Sequence, residues 1–170
     1  VEAIVMNASG CGVTVKDYGH LLAHDTAYAD KARRVSEFTR DVSELLPDIV
    51  DALRGKVSGP EGPIAYHPPC TLQHGQQLRG GVERGLRELG FDVRVAMNES
   101  HLCCGSAGTY SMLHADIAHE LRDRKLGHLA QLAPQAIASG NIGCITHLQS
   151  GTATPVRHWI ELLDNALPSS

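Results

Sequence analysis

The sequence predicts an α/β fold, a mostly parallel sheet flanked by helices, and two observations carry that expectation. Short apolar runs alternate along the chain with longer segments of helical period, the pattern of strands joined by helical crossovers. At 170 residues and 42% hydrophobic, the chain can also bury a real core, as one domain or two small lobes.

The elements follow in order. Residues 3–6 read as a strand that Val1 enters partway, so the chain reads as a piece of a longer protein. Val35, Phe38, Val42 and Leu45 recur at helical spacing and mark a helix, with Pro47 as its break or as a new first turn. Residues 54–63 hold Gly55, Ser58, Gly59, Pro60, Gly62 and Pro63 and read as a linker. Beyond it, residues 64–67 read as a strand. Leu78, Val82, Leu86 and Leu89 then share a helical face, weakened by Gly80 and Gly81. Residues 91–97 read as the next strand. Tyr110, Leu113, Ile117 and Leu121 line a helix running on to Leu132, and residues 135–138 close the series as a strand.

The linker divides the chain into an expected first lobe, residues 1–58, and a second, residues 59–170. The two look related. The first runs from a strand into Asn7-Ala8-Ser9-Gly10-Cys11, then a helix containing Val35-Ser36-Glu37-Phe38-Thr39. The second closes with a strand, Asn141-Ile142-Gly143-Cys144, then Val156-Arg157-His158-Trp159-Ile160.

Composition excludes several functions. Net charge is −4 with no basic run, so a nucleic-acid footprint is absent. Aromatic residues make up 4%, too few for a platform that stacks bases or sugars. The apolar runs fall far short of a membrane span, and no signal peptide opens the sequence. Five cysteines, an odd number in a chain too long to need disulfides, fit a reducing cytoplasm, where clustered thiols serve as metal ligands or redox groups.

Each cysteine lies just past an expected strand: Cys11, Cys70, the pair Cys103-Cys104, and Cys144. In open parallel sheets, ligands collect where the carboxyl ends of strands and their loops converge. Four cysteines distant in sequence would therefore meet on one edge of the second lobe. A lone free cysteine is more often core packing, but adjacent side chains on an extended segment diverge and rarely share one core. Cys103-Cys104 lies in a Gly/Ser loop before a helix whose positive end favours thiolates, with a disulfide or peroxidatic pair as the alternative. Soft thiolates suit zinc, copper(I) or iron–sulfur clusters. Structural zinc favours close pairs such as C-x-x-C, and this chain has none, so separated cysteines plus a vicinal pair point to a larger, irregular centre.

Among ten histidines, His147, three residues after Cys144, is the candidate ligand. His67 in His67-Pro68-Pro69-Cys70 is expected to shape the turn before Cys70, and His101 lies near the site without a role. Gly105-Ser106-Ala107-Gly108 lacks a P-loop lysine and the full G-x-G-x-x-G spacing, so phosphate binding is not expected. No acid–base pair or nucleophile constellation marks the chain as the site of an organic transformation.

Cys70, Cys103-Cys104-Gly105 and Cys144, separated by residues 71–102 and 105–143, resemble the cysteine-rich CCG repeat of the heterodisulfide reductase family, Cys, then Cys-Cys-Gly, then Cys-x-x-Cys at comparable gaps. The flanks His67-Pro68-Pro69-Cys70, Leu102-Cys103-Cys104-Gly105-Ser106-Ala107-Gly108 and Asn141-Ile142-Gly143-Cys144 resemble the iron–sulfur subunits of the glycolate oxidase type within that family, and Asn7-Ala8-Ser9-Gly10-Cys11-Gly12 resembles the end of their first repeat. The resemblance covers nearly the whole chain. It implies the end of one CCG repeat followed by one complete repeat, with Cys70, Cys103, Cys104 and Cys144 as ligands and Cys11 in the first repeat. It further implies a [4Fe–4S]-type cluster, FAD-containing partner subunits that oxidise glycolate or another 2-hydroxy acid, and a quinone as acceptor. Location would be cytoplasmic, or peripheral at the inner face of the membrane. His147 stands where the fuller pattern has a second cysteine, which keeps zinc open as the metal of a structural or interaction module. Related iron–sulfur subunits of lactate and glycerol-3-phosphate oxidation remain alternatives of the same kind.

Overall fold

A computed structural model of the chain describes residues 1–57 and 59–168; the expected lobe boundary at Ser58 and the last two residues of the second lobe lie outside them. The first part runs β1 (Ile4–Met6), α1 (Ser9–Lys16), α2 (Tyr18–Leu21), α3 (Ala29–Phe38), β2 (Thr39–Asp41), a 3-10 turn (Val42–Leu45) and α4 (Leu46–Leu53). The second runs β3 (Ile64–Tyr66), a π-helical turn (Thr71–Gly75), α5 (Gly81–Glu88), β4 (Val93–Arg94), α6 (Tyr110–Leu113), α7 (Ala115–Ala130), β5 (Ala136–Ser139), α8 (Ile142–Gln149), β6 (Val156–His158) and α9 (Trp159–Asn165). β1 and β2 form a two-stranded sheet, and the other strands form a sheet in the order β4-β3-β5-β6. Every pair is parallel, as helical crossovers between neighbouring strands require. The expected α/β class is therefore the one observed.

Side chains alternate across the larger sheet and build a core on each face. Ile64, Tyr66 and Ala138 join Leu46, Val50, Leu86, Phe91 and Trp159 on one face. Ala65 and Ile137 join Ala96, Leu129, Leu148, Val156 and two cysteines, Cys104 and Cys144, on the other. Leu46 and Val50 come from α4, so the two parts of the chain share a core. Gly85 makes that contact close: a Cβ there would lie 2.6 Å from Leu46 Cδ2.

The β1-α1-β2 and β5-α8-β6 units have the same register. Ile4 pairs with Thr39 and Met6 with Asp41; Ile137 pairs with Val156 and Ser139 with His158. An eight-residue helix follows each first strand, with Cys11 and Cys144 each at its third position. After each second strand comes a capped turn. The Asp41 carboxylate accepts from Ser43 N at 3.0 Å while its own N–H donates to Glu44. The His158 ring accepts from Ile160 N at 3.2 Å while the His158 backbone N–H donates to Glu161.

Several expected elements shift. The single helix through Val35, Phe38, Val42 and Leu45 is interrupted by β2, because Asp41 is extended (φ −71°, ψ 143°) and caps the next turn; Pro47 opens α4, its second expected role. Thr39-Arg40-Asp41, rather than Val35 to Thr39, therefore stands where Val156-Arg157-His158 stands. The expected strand over residues 91–97 pairs only at Val93–Arg94. The helix from Tyr110 breaks at His114, where φ is −131°. Its expected inner face is outside: Leu113 is 75% and Ile117 51% exposed, while Ala118, Lys125 and Leu129 are buried.

Candidate metal centre

β3, β4 and β5 end side by side, and their following segments supply the candidate residues. β3 leads into His67-Pro68-Pro69-Cys70, where Cys70 precedes the π-helical turn. β4 leads through residues 95–102 to Cys103-Cys104. β5 leads through Gly140-Asn141 into α8 and Cys144. Cys104 and Cys144 are buried, Cys70 and Cys103 half-buried, and all five cysteines are free. The Cys70 thiol lies beside that of Cys103, Cys103 beside Cys104, and Cys104 beside Cys144. Three separate segments thus bring four cysteines into one continuous string, with an open end at Cys70 and Cys103 and a closed end at Cys144.

The directions of their pKa shifts alternate. The neighbouring Cys104 and Cys70 thiols, helped by the Gly105 amide at 3.3 Å from its sulfur, hold the Cys103 thiol well below its ordinary value. The neighbouring Cys104 thiol likewise lowers Cys144, and the proximity of His67 and Asn141 adds to this against the effect of burial. The donors, Cys70 and Cys104, are pushed up by the same contacts and by burial. Sulfurs whose thiolate form is favoured in this way are prepared for metal, because the thiolate is the ligand. The Gly105 amide supports Cys103, while the Thr71 and Ser106 amides partly offset the upward shifts of Cys70 and Cys104. The expected helix N-terminus does not do this work, since α6 begins at Tyr110, five residues beyond Gly105.

Gly105 shows why glycine follows the cysteine pair. Its φ is +94°, and a Cβ would sit 2.2 Å from the Ala118 carbonyl oxygen. His147 lies on the same side: its Nε2 is 3.1 Å from that oxygen, and its ring stacks on His119 at 5.9 Å. The histidine among the sulfurs is His67. It is 1% exposed, and one of its ring nitrogens lies with the sulfurs of Cys104 and Cys144 in a group whose atoms are all within 4.8 Å of one another. Neither ring nitrogen has a partner of hydrogen-bond geometry. Thiolates plus an unpartnered imidazole fit a soft metal or an iron–sulfur cluster.

Sequence reasoning also misses Lys125. It is 2% exposed, and its ammonium donates to the carbonyls of Glu99 and Ser100. Burial lowers its pKa, and the nearby sulfurs oppose that shift. Arg124 and His128 grip the Glu99 carboxylate, so α7 clamps the segment ahead of Cys103. The Lys125, Arg124 and His128 spacing resembles any charged helix face until Glu99 is placed beside it.

Cys11 is exposed on α1 and lies outside the string. The two β-α-β units nevertheless touch: Gly10 N donates to Asn141 Oδ1 at 3.1 Å, and Asn141 Nδ2 lies 3.6 Å from Cys144 Sγ. No helix among the described residues is long and apolar enough to cross a membrane.

Residues 64–149 match the family described as the cysteine-rich domain, CCG. The glycolate oxidase iron–sulfur subunit of Escherichia coli K12 is 51% identical over 98% of this chain, which spans 40% of that protein. Lactate utilization protein A of Geobacillus thermodenitrificans is 25% identical over 96% of this chain and 70% of its own length. The uncharacterized protein YkgE of Escherichia coli is 24% identical over 95% of this chain.

Proposed function

Because this chain belongs to the cysteine-rich CCG domain family, we propose that it is the cysteine-ligand part of an iron–sulfur subunit that relays electrons from a flavin-dependent glycolate or related 2-hydroxyacid dehydrogenase towards a quinone. The observation that carries the reading is the string Cys70–Cys103–Cys104–Cys144 at the joined ends of three parallel strands. The 51% identity to a glycolate oxidase iron–sulfur subunit supports the substrate class, and the lower identity to lactate utilization proteins supports the wider one.

In this reading the string supplies cysteine ligands to a cluster of [4Fe–4S] type. Such a group supplies one-electron exchange with little rearrangement of the protein. The chain's own residues supply the rest. Gly105 lets its amide approach Cys103, Asn141 orients Cys144, and Lys125 places a buried positive charge beside the thiolates. Glycolate would lose two electrons and two protons to FAD on a partner subunit, and the half-buried Cys70 and Cys103 end is where electrons enter or leave singly. Residues 1–58 would be the end of a first CCG repeat carrying Cys11, and residues 59–170 the complete second repeat. His147, against Gly105 and Ala118, would hold the Cys103-Cys104 turn in place. The assembly would work in the cytoplasm or peripherally at the inner membrane face.

Metal analysis of anaerobically prepared full-length protein tests this. Iron with acid-labile sulfide is the expected result. Stoichiometric zinc with neither would replace electron transfer by a structural, zinc-stabilised module.

A further inference from the structure

We propose that His67 is a nitrogen ligand of the centre held by the cysteine string, an inference that rests on reading that string as a metal site. The backbone fixes the sheet face from which this side chain leaves. His67 continues β3: its N–H donates to the Ala138 carbonyl at 2.8 Å, and its own carbonyl accepts from Ser139 Oγ at 2.9 Å. Pro68 and Pro69 then restrict the following backbone. A residue held at both its amide and its carbonyl keeps its Cβ on the sheet face that Ala65, Cys104 and Cys144 share.

What the ring meets there is sulfur. One nitrogen and the Cys104 and Cys144 sulfurs are mutually within 4.8 Å. Donor atoms around one tetrahedral metal lie about 3.6–3.8 Å apart, so a modest contraction brings the three together. The ring is 1% exposed with both nitrogens unpartnered, a state that buried polar groups in folded proteins rarely keep. Ligation gives one nitrogen a partner.

The competing histidine is already engaged, since His147 Nε2 lies 3.1 Å from the Ala118 carbonyl oxygen. His101 is exposed on the loop before the cysteine pair. His67 is therefore the imidazole whose position, burial and free nitrogens all converge on the sulfurs. A neutral imidazole among thiolates makes the centre less negative, and histidine ligation raises reduction potential, as Rieske centres show against all-cysteine ones.

X-ray absorption at the edge of the bound metal, on anaerobically prepared full-length protein, reads this directly. The expected result is imidazole scattering in the wild-type protein and in His147→Ala. His67→Cys should lose it while keeping its metal, and an iron centre there should then show a lower midpoint potential. Imidazole scattering that survives His67→Cys, or that is missing from the wild-type protein, overturns the assignment. Zinc at the edge would overturn the electron-transfer reading separately, and the scattering would still decide His67.

Discussion

Cys11 and Cys144 hold the same place in two units of the same register, yet their surroundings differ completely. Each is the third residue of an eight-residue helix that follows the first strand of a parallel pair. Cys144 is 3% exposed and in contact with Cys104, whereas Cys11 is exposed. What differs is the neighbouring strand. β5 lies beside β3, with β4 next in the sheet, so three chain segments deliver sulfur and imidazole to one point. Among the described residues β1 pairs only with β2, whose end delivers Asp41, and that carboxylate is already bound by Ser43 and Gln76. A cysteine at a strand end is thus an opportunity, and the adjacent strands decide whether it becomes part of a centre.

The largest effect separates the two cysteines outright. Cys144→Ala should abolish metal binding at the string, while Cys11→Ala should leave that metal in place; metal content together with electron paramagnetic resonance of the full-length protein distinguishes them. Next comes Gly105, whose place by the string has no equivalent beside Cys11. Gly105→Ala combines a left-handed backbone with a Cβ only 2.2 Å from the Ala118 carbonyl oxygen, so denaturant unfolding should show a loss of about 3 kcal/mol or more. The paired caps give a finer comparison. Asp41→Ala removes a buried cap that also accepts from Ser43 Oγ and Gln76, and should cost about 2 kcal/mol; His158→Ala should cost about 1 kcal/mol in the same assay.

The smallest expected effect is a pH dependence confined to the second cap. Burial lowers the His158 pKa below its ordinary 6.5, outweighing the Asn7 carbonyl that favours the charged form. The folded chain therefore binds fewer protons than the unfolded chain in the window just beneath that value. His158 contributes its full share of stability above the window, and that share falls as pH drops through it. His158→Asn, which keeps a capping side chain without the titration, should flatten this slope in unfolding curves taken across the window. An unchanged slope would remove His158 as its source.

How much is legible in the sequence follows from the same physics. The alternation of runs and helices is enough for the parallel α/β class, and that class alone places Cys70, Cys103, Cys104 and Cys144 at strand ends. β2 and β6 escape because Thr39-Arg40-Asp41 and Val156-Arg157-His158 carry no apolar run, unlike the equally short β1 and β3. The Asp41 to Glu44 spacing of a capping box is there to be seen. The helix from Tyr110 shows the wrong inner face in sequence because Leu113 and Ile117 outweigh Ala118, a small residue that packs directly behind Gly105. His67 reads as a turn residue because sequence shows neither burial nor an unpartnered nitrogen. Lys125 is invisible for a related reason: a lysine on a helix looks solvated until its helix is packed against the Glu99 segment.

The most direct test is an anaerobic reductive titration of the full-length protein, followed by electron paramagnetic resonance with 57Fe enrichment. A signal that appears on one-electron reduction, broadens with 57Fe, and disappears in Cys144→Ala but persists in Cys11→Ala is the predicted result. A wild-type signal that Cys144→Ala leaves unchanged would contradict the claim that this string of cysteines carries the electron.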